Sequence, residues 1–372
     1  MSTHALLAVG GYSTSGTGRG PGIQLLALRA EEPGTGADRP GEPGSGPALA
    51  AEPRVVVDLP DPSFVLWSAD GALLHAVLET DPTRLVTLRV DEDGSRAEIV
   101  ADLALEGTGG CHLAHGPDGR TLLIAQYGSG AVATVGLDED GVPSAQIDLD
   151  DHHDLVDGLP DLAPHPHQIV PLPGTEVLAV PDLGLDRVML YRQNARGDID
   201  VDGEIPLSRG SGPRHLVADH ESEQIHIACE LSGMVATAVR AAEPTARAVP
   251  AVMPPAPRRW SVRSMTPAST RAADAALSHI ELVADESALL VAARGPDTLC
   301  LLSLDAMRPQ AVAEAAVGAH PRHFTQWGDL VLVAAQEGDR IDVLRRRGER
   351  LEHVAEPIPA PSAACLAVRP TR

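Results

Sequence analysis

Three arginines, Arg214, Arg294 and Arg322, fall where a repeated pattern places polar groups. A guanidinium can grip a carboxylate or phosphate through two parallel hydrogen bonds, so these residues point to recognition of a small anion. Arg214 and Arg322 lie in matching contexts two repeats apart, Gly212-Pro213-Arg214-His215 and His320-Pro321-Arg322-His323. Arg214 is followed, after a turn and one more strand, by Glu230. Nearly the same interval links Ser63 with Glu79, His112 with Gln126, His167 with Pro181 or Asp182, His279 with Arg294 and Arg322 with Gln336. Chance would not keep that phase six times. A strand that runs down a channel and a second that runs back up would bring both members of each pair to one rim. Two or three arginines converging there, in a chain of net charge −23, would make a local positive funnel.

The elements that could deliver such pairs are short hairpins, and the chain repeats them. Val65 to Val90 and Leu113 to Leu137 both read as apolar strand, Asp-Gly turn, apolar strand, turn and third strand. Their turns, Asp70-Gly71 and Asp118-Gly119, stand at the same phase of successive copies, and Asp-Gly between apolar runs is a strong hairpin signal. Four more copies centre on Pro173-Gly174, Ser222-Glu223, Glu286-Ser287 and Trp327-Gly328. Four short strands in a repeat of about 45 to 55 residues specify a β-propeller blade. Strands remain over at both ends, at 5–12, 23–28 and 54–59 and at 363–368. Joined, they make a seventh blade that closes the ring and removes its free edges. The fold expected is an all-β, seven-bladed propeller of four-stranded antiparallel blades in one domain, 1–372. Stretches 31–52, 138–161 and 241–277 break the period and read as surface insertions.

Composition narrows the function. Only 3 Trp, 3 Tyr and 2 Phe are available, too few for platforms that stack nucleic-acid bases. All 29 cationic residues are arginine, and 52 acidic residues outweigh them. Such a surface repels phosphate backbones and anionic lipid, so neither nucleic acid nor membrane is an expected partner. The four cysteines form no C-x-x-C pair and read as buried thiols in a reducing compartment. No apolar run approaches the length of about 18 residues that a membrane-spanning helix needs. The start of the chain lacks a basic leader, and a cytoplasmic location is expected. Asp91 to Gly94 and Asp138 to Gly141 resemble the start of a calcium loop, but Asp102 and Leu149 occupy the twelfth positions where a bidentate glutamate is needed. These are hairpin turns. Asp150-Asp151-His152-His153-Asp154 reads as a solvated loop before a metal site. No metal or cofactor is expected.

Several motifs together resemble one family. They are Pro62-Ser63-Phe64, Cys111-His112-Leu113, Ala125-Gln126-Tyr127-Gly128, Pro164-His165-Pro166-His167, the run from Val180 to Val188, Gly212-Pro213-Arg214-His215, Cys229-Glu230-Leu231-Ser232 and Ala293-Arg294-Gly295. The resemblance is to the seven-bladed lactonases, which include propeller-type 6-phosphogluconolactonases and carboxymuconate lactonising enzymes. It implies a site of Glu230, His167, Arg214 and Arg294, with Arg322, His215, His112, Gln126 and Tyr127 as candidate substrate contacts. Gln126, Cys229 and Ala293 depart from the family's usual asparagines. The expected reaction is metal-free hydrolysis of an anionic sugar lactone resembling 6-phosphogluconolactone. Arg214 and Arg294 would hold the anion and the oxyanion, Glu230 would activate water, and His167 would protonate the leaving alkoxide. Two alternatives remain: lactonisation or isomerisation of a muconate-like diacid, and a non-catalytic propeller that serves as an interaction platform.

Overall fold

The computed structural model describes residues 4–16, 18–30, 49–156, 162–241, 260–306 and 308–371. Seven antiparallel sheets follow one another round a ring. Blades I to VI span residues 62–104, 110–151, 170–206, 213–267, 276–316 and 321–359. Blade VII takes its innermost strand from Ala363–Val368 and the other three from His4–Gly11, Ile23–Ala30 and Leu49–Val57. The two ends of the chain thus share one sheet.

The second strand of each blade explains why the repeats read as unbroken apolar runs. Leu73–Leu78, Thr121–Gln126, Val177–Asp182, Ala288–Arg294 and Leu330–Ala335 are buried at every position. Both faces of such a strand pack on neighbouring blades, and alternation disappears. Seven apolar clusters result, one between each consecutive pair of blades. In blade VII Leu6 and Ala8 face blade I, whereas Leu7 and Val9 face blade VI. Each such leucine or valine contributes about 1.5–3 kcal/mol by burial.

Turns keep their geometry where their sequence has drifted. Between the first two strands, Gly71, Gly119, Gly174 and Gly328 adopt positive φ of 63° to 69°. Ser222 and Glu286 take the same place with φ of 52° and 54°. A side chain there costs roughly 1 kcal/mol, an amount the flanking strands absorb.

The three expected insertions need correction. Pro143–Asp151 and Trp260–Pro267 are the outermost strands of blades II and IV, and Leu49–Val57 is that of blade VII. One face and one edge of such strands meet water, so polar and acidic residues replace the apolar signal. The remainder, 31–48, 157–161 and 242–259, lies outside the described residues. Among the described residues no helix is long and apolar enough to cross a membrane.

Candidate active site

One local device builds the mouth of the channel. At the start of the innermost strand in blades I, II, IV, VI and VII the register slips, leaving Ser63, Cys111, Arg214, Arg322 and Ala364 as bulge residues. A bulge re-aims side chains. The residue two before it, Asp61, Gly109, Gly212, His320 or Ser362, is left-handed, with φ between 48° and 65°. Its carbonyl accepts the N–H of the residue just past the second strand, which is Glu79, Tyr127, Glu230, Gln336 or Tyr12. Those five residues are therefore held at one level of the ring.

Bulge side chains, and Ser278 at the register slip between Leu277 and Ile280 in blade V, reach sideways to the next blade. Ser63 Oγ donates to Gly110 O at 3.0 Å, Ser278 Oγ to Pro321 O at 2.6 Å, and Arg214 Nη1 to Ser278 O. Arginine is long enough to reach the rim as well. Glu230 Oε2 lies 2.9 Å from Arg214 Nε and 2.7 Å from Arg294 Nη2. Both are ion-pair contacts; the Arg214 Nε–H points off the line to the carboxylate and makes no hydrogen bond. Arg294 also donates from Nε to Ala276 O at 3.3 Å. Only 2% of the Arg214 side chain is exposed. Burial, then the guanidiniums of Arg294 and Arg322, push its pKa down to about 9, and it stays a cation at neutral pH.

His167 occupies the corresponding rim position of blade III. Its N–H donates to Pro181 O at 3.0 Å, and its Nδ1 lies 3.8 Å from Cys111 Sγ. Burial, then Arg214 and Arg322, hold its pKa well below the usual histidine value, so the ring is neutral. Tyr127 packs edge-on against His167 and stacks on His165 at 4.3 Å.

Other expected contacts lie elsewhere. His112 and His215 belong to the layer below, where the residue after each bulge faces the channel axis. Phe64, His112, His215, His279 and His323 form a closed circuit of ring contacts with centroids 4.0 to 5.7 Å apart. Their imidazoles are tied down: Ile169 N–H donates to His112 Nδ1 at 3.4 Å, Leu366 N–H to His323 Nδ1 at 3.3 Å, and His215 Nδ1 lies 2.8 Å from His279 Nδ1. The interval that pairs His112 with Gln126 is thus one residue out of phase with Arg214, because a bulge leaves no mark in sequence. Gln126 is fully buried, with its amide donating to Glu106 O at 2.8 Å and its carbonyl accepting from Ser129 Oγ at 3.2 Å. That side chain holds a turn. His152, within the acidic 150–154 run, is also structural: its Nδ1 lies 2.7 Å from Asp182 Oδ2 and its Nε2 2.8 Å from Tyr191 Oη. Among the described residues no cluster of His, Cys, Asp and Glu could hold a metal ion.

Two further rim residues, Tyr12 and Glu79, are not among the expected substrate contacts. Tyr12 Oη donates to Glu79 Oε2 at 2.5 Å, and the Arg322 guanidinium lies over the Tyr12 ring, 5.1 Å from its centroid. Arg322 Nη2 is 3.9 Å from Glu79 Oε2. Glu79 follows Ser63 at the repeated interval, so its signal was present. Tyr12 follows the second strand of blade VII as Glu79 follows that of blade I, but its innermost strand stands at the other end of the chain.

Comparison with known proteins completes the description. Residues 47–368 match the family described as lactonase, 7-bladed beta-propeller. An uncharacterized protein of Staphylococcus saprophyticus is 25% identical over 304 residues, 79% of this chain and 84% of the relative. The 6-phosphogluconolactonase of Bacillus subtilis is 22% identical over 186 residues, 50% of this chain and 53% of the relative. Among solved structures, the periplasmic gluconolactonase of Pseudomonas aeruginosa superposes with a TM-score of 0.80 at 23% identity, covering 99% of this chain and 100% of that one.

Proposed function

This chain belongs to the seven-bladed β-propeller lactonase family, and we propose that it hydrolyses an anionic sugar lactone of the 6-phosphogluconolactone type at the Arg214, Arg294, Glu230 and His167 mouth. The observation that carries the reading is a carboxylate clasped between two guanidiniums at a mouth that also holds the buried imidazole of His167.

The roles follow from what each group has left to offer. Arg214 is buried, gives Nη1 to Ser278 O and meets Glu230 only as an ion pair, so it acts through its charge. Arg294 keeps Nη1 without a hydrogen-bond partner among the described residues and is the donor placed to meet the developing oxyanion. Glu230 commits Oε2 to the arginines, which leaves Oε1 to orient water. A neutral His167 accepts rather than gives the first proton, reversing the order that sequence suggests. Water adds to the lactone carbonyl as its proton passes to His167. The ring C–O bond then breaks, and the same proton goes to the leaving alkoxide, giving the open hydroxy acid. No redox partner is required. Four unpaired, buried cysteines support a reducing compartment and hence the cytoplasm.

Purified protein should accelerate the decay of 6-phosphogluconolactone, followed by proton release in weak buffer. Arg294→Ala and Arg214→Ala should each abolish the acceleration while far-ultraviolet circular dichroism stays native. Full activity in both variants overturns the site.

A further inference from the structure

We propose that Tyr12, Glu79 and Arg322 form a second half of the mouth, which recognises the hydroxylated, anion-bearing end of the lactone. This rests on the lactonase reading and specifies the substrate class. The three side chains come from the adjacent blades VII, I and VI, opposite in kind to the Arg214–Glu230–Arg294 clasp. There, two guanidiniums are neutralised at 2.7 and 2.9 Å. Here, Arg322 has no hydrogen bond to any described residue, and its one carboxylate neighbour is 3.9 Å away, beyond hydrogen-bond reach. Yet its side chain is only 17% exposed. A guanidinium carries five donors, and since no described residue takes any of them and none is sealed from the mouth, they are free to receive an anion that enters it.

Tyr12 explains why Glu79 does not fill that need. The 2.5 Å bond from Tyr12 Oη holds Glu79 Oε2 away from Arg322 and leaves Oε1 without a partner among the described residues. Gln336, the matching rim residue of blade VI, has Oε1 buried with no donor. Gln336 Oε1 is enclosed, so the open acceptor beside the Arg322 donor fork is Glu79 Oε1, and the pair complements an anion with a neighbouring hydroxyl group. A neutral lactone would leave Arg322 unsatisfied, and an unhydroxylated diacid would set a carboxylate against Glu79. Phosphorylated sugar lactones satisfy both. Tyr12 is therefore a positioning residue that keeps Arg322 available.

The test compares kcat/KM for 6-phosphogluconolactone and unphosphorylated gluconolactone. The native chain should prefer the former, and Arg322→Met should cut that preference by on the order of 10- to 100-fold, the worth of charge-assisted hydrogen bonds. Tyr12→Phe should raise KM for the phosphorylated lactone about tenfold with kcat changed less than about threefold, as Glu79 turns onto Arg322. A merely structural tyrosine would lower kcat and the melting temperature together. Equal loss on both substrates in Arg322→Met, or no preference in the native chain, overturns the proposal. If the native chain hydrolyses neither lactone, the lactonase reading fails, and calorimetric titration with 6-phosphogluconate decides this subsite. Binding that Arg322→Met abolishes supports it; no binding to the native chain overturns it.

Discussion

Arg214 and His215 are neighbours in the chain, as are Arg322 and His323, yet the bulge sends the first of each pair to the charged rim and the second to the channel axis. The rim carries the cations Arg214 and Arg322 and the carboxylates Glu79 and Glu230. Axial groups are desolvated imidazoles; His279 is pushed down to about 3, and His112, His215 and His323 lie well below the usual value, burial being the first cause in each. One residue of offset separates chemistry from packing. Histidine beside arginine in a repeated motif is therefore no guide to catalysis unless the bulge is known.

The largest effect that would sharpen this contrast is on rate. Arg294→Ala should reduce kcat/KM by on the order of 10² to 10³, the worth of one preorganised oxyanion donor, with little change in melting temperature. A comparable loss from His323→Gln would break the distinction. Next comes stability against pH. The unfolded chain protonates these imidazoles near pH 6.5, whereas the folded chain resists, so their contribution is complete above that value and is lost as pH falls below it. Melting temperature should drop steeply between about pH 6.5 and 4.5, and His279→Gln should flatten the slope. Unchanged melting across that window contradicts a neutral axial layer. Activity should show a separate signature: with the pKa of His167 held down, its proposed role as the base requires kcat/KM to stay flat through pH 6.5 and fall only in stronger acid. An acid limb at or above 6.5 refutes that role.

The smallest expected effect concerns Glu281, at the foot of the axial layer. It accepts from Gln326 Nε2 at 2.8 Å and meets His279 Nε2 at 3.2 Å, and burial pushes its carboxyl up to about 7. A quarter of its side chain is nevertheless exposed, which moderates that burial. A raised value means stability is complete below the ordinary glutamate range and is lost as pH rises through about 7. Glu281→Gln should raise the melting temperature at pH 8 by about 2 °C and leave it unchanged at pH 5.

Most of the ring was readable because strands buried on both faces leave unbroken apolar runs, and the Asp-Gly turns Asp70-Gly71 and Asp118-Gly119 recur at the same phase of successive blades. The outermost strands Pro143–Asp151 and Trp260–Pro267 were not, since a half-exposed edge needs no apolar pattern. Of the site, the paired positions of Arg214 with Glu230 and of Arg294 could be located from spacing. The bulge could not, and spacing alone therefore puts His112 at the rim when Cys111 holds that place. Tyr12 was hidden by topology, because its blade is assembled from opposite ends of the sequence.

That shared blade also orders events in time. Tyr12 is made long before Ser362, whose carbonyl holds its N–H, and before Ala363–Val368, which pairs its strand. A nascent chain can stack blades I to VI during synthesis and still lack the final wall of the mouth. The mouth is thus completed in a single step, once Ala363–Val368 has been made, and a chain cut short of that strand lacks this wall altogether.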